Sequence, residues 1–202
     1  MKTDSNKLWK FSRRFHPEKK GIRIFGVAES FKKSHSVSTL GGVVMRRDLV
    51  VDGIVFGTAT LKGDDSTNSI HSMFQSLQRD DINCIMLDGL IISLYNIIDG
   101  EQLNNITGLP IIAVTFEDSK GIEENIKKHF LEESDRKLEQ YHKLGNRVQV
   151  VLKTKQALYI RYWGLSLQGA LHTLNAFTLQ GSIPEPIRVA KLLARARKFI
   201  NL

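Results

Sequence analysis

The sequence predicts an α/β protein built on a mixed β-sheet with helices on both faces. The first third of the chain holds three apolar segments joined by short connections, which favours antiparallel strand pairing. Residues 82–116 then alternate buried strands with a helical segment, which favours parallel strands joined by right-handed crossovers. A length of 202 residues with 42% apolar residues fits one domain, residues 1–202, with a substantial core.

The first half of the chain contains three predicted strands and one helix. The strands cover residues 21–28, 37–46 and 49–61. Asp52-Gly53 predicts a bend within the third strand. Residues 63–67 form a turn rich in helix-capping residues, and apolar side chains then recur at helical spacing from Ile70 to Leu77.

The second half of the chain begins with residues 82–87, which are apolar except for Asn83 and are typical of a strand buried on both faces. The remaining predicted elements are a helix at 98–107, a strand at 110–116, a long charged helix at 119–144, strands at 147–153 and 157–162, a helix at 166–179 and a basic helix at 186–199. Three antiparallel strands followed by helix, strand, helix and strand is the element order of a ribonuclease H-like fold. In that fold the first and fourth strands are neighbours, so their ends face one crevice.

Carboxylates stand at the predicted ends of these two strands. Glu29 ends the first strand and Asp88 ends the fourth, and Asp64 or Asp65 at the start of the first helix supplies a third. Oxygen ligands of this kind suit Mg²⁺ or Mn²⁺, which polarises a phosphodiester and delivers water to it. We therefore predict Asp88, Asp65 and Glu29 as catalytic and metal-binding residues. The alternatives are a strand-end turn for Asp88, a helix cap for Asp65 and an ordinary strand-end charge for Glu29.

The net charge of +8 is concentrated near both ends of the chain. Residues 2–23 hold eight basic and two acidic residues, and residues 188–198 hold five basic residues and no acidic one. A basic N-terminal arm (1–20) with interleaved aromatic residues and a basic C-terminal helix (186–199) indicate contacts with nucleic acid. The alternative is a solvated arm whose aromatic side chains dock on the domain. The predicted nucleic-acid-binding residues are Lys10, Arg13, Arg14, Lys19, Lys20, Arg188, Lys191 and Arg195.

Other function classes have little support in the sequence. The single cysteine, Cys84, lies in an apolar run and excludes an intrachain disulfide or a cysteine-rich zinc site. The six histidines include no pair at metal-ligand spacing. The N-terminus is charged and the longest apolar run is about half the length that crosses a bilayer. We therefore expect a cytoplasmic protein without a membrane partner; the sequence leaves its oligomeric state open.

Six sequence blocks carry a resemblance to a known family. They are Lys20-Gly-Ile-Arg-Ile-Phe-Gly-Val27, Leu61-Lys-Gly-Asp-Asp-Ser-Thr67, Ile85-Met-Leu-Asp-Gly89, Tyr95-Asn-Ile-Ile-Asp99, Thr107-Gly-Leu-Pro110 and Gly181-Ser-Ile-Pro-Glu-Pro-Ile-Arg-Val-Ala190. In their order and spacing they resemble the archaeal family labelled endonuclease dU, which is related to endonuclease V in the ribonuclease H-like superfamily. The resemblance covers roughly residues 18–197. It implies a metal-dependent nuclease-like site acting on nucleic acid at deaminated bases, with acids at the end of the first strand, at Asp65 and at Asp88.

The chain departs from the family pattern at two places near this predicted site. The family usually has two aspartates after the first strand, where this chain has Ala28 and Glu29, and a glycine pair where this chain has Ser93 and Leu94. Side chains alternate faces along a strand, so Glu29 cannot take the direction lost at Ala28 unless the backbone bulges. Three functions therefore stay open: a metal-dependent endonuclease with a weakened site, a non-catalytic nucleic-acid-binding or adaptor protein, and unrelated small-molecule binding in the crevice.

Overall fold

The computed structural model of the protein describes residues 15–118 and 121–197. Its strands are β1 (Arg23–Ser30), β2 (Val37–Arg46), β3 (Val51–Thr60), β4 (Cys84–Asp88), β5 (Ile91–Ile92), β6 (Asn96–Ile97), β7 (Ile111–Thr115), β8 (Val148–Val151) and β9 (Ala157–Trp163). Its helices are α1 (Ser66–Ser76), α2 (Gly100–Thr107), α3 (Glu123–His129), α4 (Ser134–Lys143), α5 (Leu167–Ala176) and α6 (Glu185–Ala196). Three of the predicted nucleic-acid-binding residues, Lys10, Arg13 and Arg14, lie outside the described residues.

The main sheet has the strand order β3-β2-β1-β4-β7-β9-β8. Strands β1, β2 and β3 pair antiparallel, and β1, β4 and β7 pair parallel. This arrangement confirms the predicted fold class of three antiparallel strands followed by parallel ones. Strands β8 and β9 then form an antiparallel pair that extends the sheet beyond β7. The register of β2 and β3 shifts opposite Asp52, where the sequence predicts a bend.

Helices cover both faces of the sheet, as the sequence predicts. Helices α5 and α6 pack on the face that carries Ile24, Met86 and Ile112. Helices α1 and α2 pack on the opposite face, which carries Phe25 and Leu87. The alternation of the two sets explains why the central residues of β1 and β4 are apolar on both faces, since each of these side chains is buried whichever way it points.

Helix α6 lies close against the backbone of β1 and β2. A Cβ atom added to Gly26 would meet Pro186, and one added to Gly41 would meet the backbone carbonyl of Ala190. The two glycines therefore permit an approach that a larger residue would block. This close contact holds α6 near the strand ends, and Lys191 is the residue of α6 that follows Ala190.

The predicted long helix at 119–144 is wrong, because the described part of this segment forms two helices, α3 and α4. Phe130, between them, has φ −133° and ψ 58°, outside the helical region. Its ring packs edge-on against Tyr95 at 5.8 Å and faces the Lys137 ammonium at 5.2 Å. These tertiary contacts override the helical propensity of the charged segment.

Two smaller differences concern segments near the crevice. Strand β1 continues to Ser30, two residues beyond its predicted end. Residues 91–97 form a short hairpin of β5 and β6, which the sequence did not predict. In the described ranges, no helix combines the length and the apolar character that a membrane-spanning segment requires.

Candidate active site

The ends of β1 and β4 lie side by side at the centre of the sheet. Val27 pairs with Leu87, so the following residues, Ala28 and Asp88, are neighbours on the face covered by α6. Glu29 points to the opposite face because side chains alternate along a strand. Glu29 and Asp88 nevertheless both line one crevice, whose volume is only about 10 Å³ and whose walls are mainly apolar. The structure thus brings two of the three predicted acids together, in a space that holds about one water molecule.

Asp88 forms an ion pair with the last third of the chain. Its Oδ2 accepts a hydrogen bond from Lys191 Nζ at 2.8 Å. The Asp88 side chain is only 14% exposed and that of Lys191 is 37% exposed, so the pair is partly shielded from solvent. The charge pattern predicts Lys191 as a nucleic-acid-binding residue, but its ammonium group is the counter-charge of Asp88. Its spacing from Asp88, 103 residues, left no local signal for this contact.

Glu29 is held by the hairpin turn between β5 and β6. The Ser93 N–H donates to both carboxylate oxygens at 2.9 and 3.0 Å, and Ser93 Oγ donates to Oε2 at 2.8 Å. Ser93 is fully buried, and its Oγ also lies 2.6 Å from Ser38 Oγ. The carboxylate of Glu29 is therefore an acceptor within the protein rather than a free strand-end charge.

The same turn contains three consecutive residues with positive φ. Ser93, Leu94 and Tyr95 have φ angles of 47°, 56° and 75°. Residues other than glycine rarely adopt this left-handed region. The glycine pair that the family resemblance implies at Ser93 and Leu94 suits this conformation, and in this chain the hydrogen bonds of Ser93 maintain it.

Asp65 serves the local structure at the start of α1. Its oxygens accept hydrogen bonds from the Thr60 N–H, from Thr60 Oγ1 at 2.7 Å and from Asn96 Nδ2 at 2.6 Å. Burial raises the pKa of Asp65, but the hydrogen bonds from Thr60 and Asn96 outweigh it and hold the pKa below its usual value. Asp65 occupies the N-cap position without making a capping bond, and it does not line the crevice.

A buried lysine, Lys137, contacts the start of α1 and the hairpin. The sequence does not predict its burial. Lys137 on α4 is fully buried, and its ammonium group donates to Asp64, to the Gly63 carbonyl at 2.7 Å and to the Tyr95 carbonyl at 3.2 Å. It therefore connects α4 to both the α1 entrance and the hairpin. The burial of Lys137 could not be predicted, because nothing in the sequence pattern distinguishes it from the exposed lysines of this segment.

The three predicted ligands do not fit a divalent cation in this arrangement. Mg²⁺ and Mn²⁺ require about six oxygen ligands. Asp88 is neutralised by an ammonium group, both oxygens of Glu29 accept protein hydrogen bonds, and Ala28 offers no oxygen. Within residues 15–118 and 121–197 no cluster of three or more histidine, cysteine, aspartate or glutamate side chains has a metal-binding arrangement.

The predicted basic residues that the structure describes divide into an exposed group and a group engaged in ion pairs. Lys19, Lys20 and Arg195 are exposed. Arg188 donates to Glu185 in the first turn of α6, and Lys191 is engaged with Asp88. The described surface therefore offers fewer basic side chains to a partner than the sequence suggests.

Comparison with known proteins agrees with this fold. The sequence profile of the endonuclease dU family matches residues 20–197. A UPF0215 protein of Pyrobaculum calidifontis is 39% identical over 177 residues, which cover 87% of this chain and 97% of the relative. A crystal structure of a protein of unknown function from Archaeoglobus fulgidus superimposes with a TM-score of 0.75 at 25% identity, covering 87% of this chain and 98% of the other.

A more distant structure shows the same fold. Endonuclease V of Ciona intestinalis, in complex with inosine-containing DNA, superimposes with a TM-score of 0.60 at 16% identity, covering 89% of this chain and 87% of the enzyme. At this identity the similarity is one of fold alone. The profile match over most of the length, together with the identity to the Pyrobaculum relative, shows that the chain belongs to the endonuclease dU family.

Proposed function

We propose that this protein binds nucleic acid without hydrolysing it, and that Lys191 takes the place of a divalent cation at Asp88. The observation that carries the proposal is the 2.8 Å ion pair between Lys191 and Asp88, beside Ala28. The ion pair of Asp88 and Lys191 has no net charge with which to attract a metal ion. The neighbouring position, where the family resemblance implies an aspartate, contributes only a methyl group.

The magnitude of the electrostatic effect supports this interpretation. Two unit charges about 4 Å apart interact by about 4 kcal/mol at the effective dielectric constant of about 20 that suits partly exposed sites. A divalent cation at Asp88 would therefore be repelled by the Lys191 ammonium by about 8 kcal/mol at that distance. At the same distance the Asp88 carboxylate attracts the cation by a similar amount, so the Lys191 ammonium offsets the gain from binding there.

The nucleic-acid half of the proposal is supported by charge and by the structural relatives. The chain carries a net charge of +8, and Lys19, Lys20 and Arg195 are exposed. A structure of the same fold, endonuclease V of Ciona intestinalis, is a complex with DNA. Contacts between basic side chains and phosphates release counter-ions, so affinity must fall steeply as salt rises.

Fluorescence anisotropy with labelled single-stranded DNA, double-stranded DNA and RNA over a series of salt concentrations tests the binding. We expect affinity to decrease with salt, and Lys19→Gln/Lys20→Gln to reduce the slope of log K against log salt by about 1 for each lost contact. The matched control is Lys127→Gln/Lys128→Gln on α3, which removes the same charge from exposed positions. Affinity that is absent, or independent of salt, would contradict the proposal.

The second candidate function is a metal-dependent endonuclease acting at deaminated bases. It is favoured by one observation, that Glu29 and Asp88 line the same crevice. Purified protein is incubated with Mn²⁺ or Mg²⁺ and DNA containing uracil or inosine, beside an Asp88→Ala variant. Under our proposal the two proteins cleave equally little. Cleavage by the wild-type chain that Asp88→Ala removes would establish the second candidate and overturn the non-catalytic assignment.

A further inference from the structure

A second, larger cavity opens on the other side of Asp88. It has a volume of about 310 Å³ and lies at the C-terminal ends of β4 and β7. Its apolar wall includes Leu90, Val114, Phe116, Ile122 and Tyr141. Its polar lining includes Asp88, Glu117, Arg147 and Arg161. The C-terminal ends of parallel strands are the usual ligand-binding edge of α/β sheets, and the volume lies within the range of small-molecule sites.

Arg161 is the distinctive group of this cavity. It lies on β9 opposite Ala113, half-buried, and its Nε donates to the Gly145 carbonyl at 2.9 Å. In the part of the chain that the structure describes, no carboxylate forms an ion pair with it. Burial lowers the pKa of the Arg161 guanidinium, and the nearby charge of Arg147 lowers it further. A cation that is desolvated and repelled by a second cation is costly unless an anion compensates it.

The other charged groups of the cavity are already engaged or lie near solvent. Arg147 pairs with Asp118 at 3.2 Å and stacks over Tyr159, with its guanidinium carbon 5.3 Å from the ring centroid. Asp88 is neutralised by Lys191, and Glu117 is exposed. The charge of Arg161 therefore stands without a carboxylate partner inside the cavity.

We propose that this cavity is a phosphate-binding site in which Arg161 donates its terminal N–H groups to phosphate oxygens and Arg147 adds positive charge. The Gly145 carbonyl orients the guanidinium through Nε and leaves its outer N–H groups for a ligand. The planar fork of arginine matches the spacing of phosphate oxygens. The phosphate belongs either to a free phosphomonoester or to a nucleic-acid strand. The site does not depend on the proposed nucleic-acid function, because a free phosphate suffices to occupy it.

Phosphorus NMR titration tests the site with three probes: inorganic phosphate, a nucleoside monophosphate and a single-stranded oligonucleotide without terminal phosphate. We expect the first two to bind the wild-type chain. Arg161→Gln weakens that binding about tenfold or more, since it removes charge-assisted hydrogen bonds. Arg161→Lys keeps the charge without the fork and shows an intermediate loss. The control is Arg46→Gln, which removes an exposed arginine paired with Asp48 at the end of β2 and leaves binding unchanged.

The oligonucleotide identifies the source of the phosphate. A loss of oligonucleotide affinity in Arg161→Gln places a phosphodiester in the cavity, whereas unchanged oligonucleotide affinity assigns it to free phosphomonoesters. Thermal unfolding of each variant shows whether it is folded. If Arg161→Gln is unfolded, the phosphate affinity of Arg161→Lys tests the role of Arg161. The proposal is overturned if neither inorganic phosphate nor the monophosphate binds, or if the folded Arg161 variants bind them as the wild-type chain does. The Lys19→Gln/Lys20→Gln variant separates the two proposals, because it leaves phosphate binding intact even if nucleic-acid binding fails.

Discussion

Two residues lie beside Asp88 and carry the proposed function: Ala28 near the end of β1, and Lys191 on α6. Ala28 offers no side-chain oxygen where the family resemblance implies an aspartate. Lys191 places its ammonium group at the neighbouring residue, Asp88. Under the proposed function, these two residues together put an internal ion pair where the family resemblance implies metal coordination. Substitution of both residues is therefore the direct test of their role.

We predict that the double variant Ala28→Asp/Lys191→Ala gains affinity for Mn²⁺ that the wild-type chain lacks. The new aspartate lies beside Asp88 on the same face, and the absent ammonium no longer repels a cation. Isothermal titration calorimetry measures the binding, with thermal unfolding as a check on folding. Addition of Asp88→Ala to the double variant should abolish the gain. Equally tight, Asp88-dependent Mn²⁺ binding by the unmodified chain would refute the prediction.

A second residue-scale prediction concerns the buried ammonium of Lys137. Lys137→Met leaves the carbonyls of Gly63 and Tyr95 without their donor, so we expect a loss of about 1–3 kcal/mol in the free energy of unfolding. Lys143→Met is the control, because it removes an exposed lysine from the same helix and should change little. Urea denaturation measures both, and equal effects of the two substitutions would contradict the buried role.

At the scale of elements, the hairpin of β5 and β6 is the piece that organises the site. Its turn holds Glu29 through Ser93 and accepts Lys137 at the Tyr95 carbonyl, and Asn96 of β6 donates to Asp65. Strands of two residues have little stability of their own. The hairpin therefore depends on these polar contacts, which connect it to β1, α4 and the entrance of α1.

The left-handed conformation of the hairpin turn gives a prediction at the element scale. Leu94 has φ 56°, so Leu94→Gly should be more stable than Leu94→Ala by about 1 kcal/mol, the reverse of the usual order of the two residues. Both variants lose the same contacts beyond Cβ, which makes the pair a matched comparison. Urea denaturation measures the difference. An alanine variant as stable as the glycine variant would show that the turn does not hold this conformation.

At the scale of the whole molecule, ion pairs join distant parts of the chain at the end of the sheet opposite the crevice. Arg79 pairs with Asp52 of β3 and with Asp81 before β4, and Arg23 of β1 pairs with the same two aspartates. The hydrogen bond from Arg79 holds the pKa of Asp81 below its usual value of 3.8. Such a carboxylate stabilises the fold only while it is ionised.

We predict that this network makes stability fall in acid. The folded-state pKa of Asp81 is lower than the unfolded value, so its contribution is complete above pH 3.8 and is lost as the pH falls through the folded-state pKa. Asp64, Asp65 and Asp99 have pKa values lowered in the same direction and add to the effect. Urea midpoints measured at neutral pH and below pH 3.8 should differ less in Asp81→Asn than in the wild-type chain. An unchanged difference would exclude Asp81 as a contributor.

Local sequence patterns were sufficient to predict the elements whose position depends on neighbouring residues alone. The apolar run before Asp88 forms β4, and Asp52 lies at the register shift between β2 and β3. The element order also predicted that Glu29 and Asp88 meet at one crevice. These features follow from local periodicity, turn chemistry and the small number of ways in which such strands pair.

The contacts of those acids depend on residues that are distant in the sequence. Lys191 reaches Asp88 across 103 residues, Ser93 reaches Glu29 across 64, and Phe130 interrupts a helix because of contacts with Tyr95 and Lys137. The sequence does not show whether a charged side chain contacts water, a metal ion or another side chain. The packing of α6 and the hairpin against the sheet determines which partner such a side chain contacts. That packing depends on contacts between distant segments, so it produces no local sequence pattern.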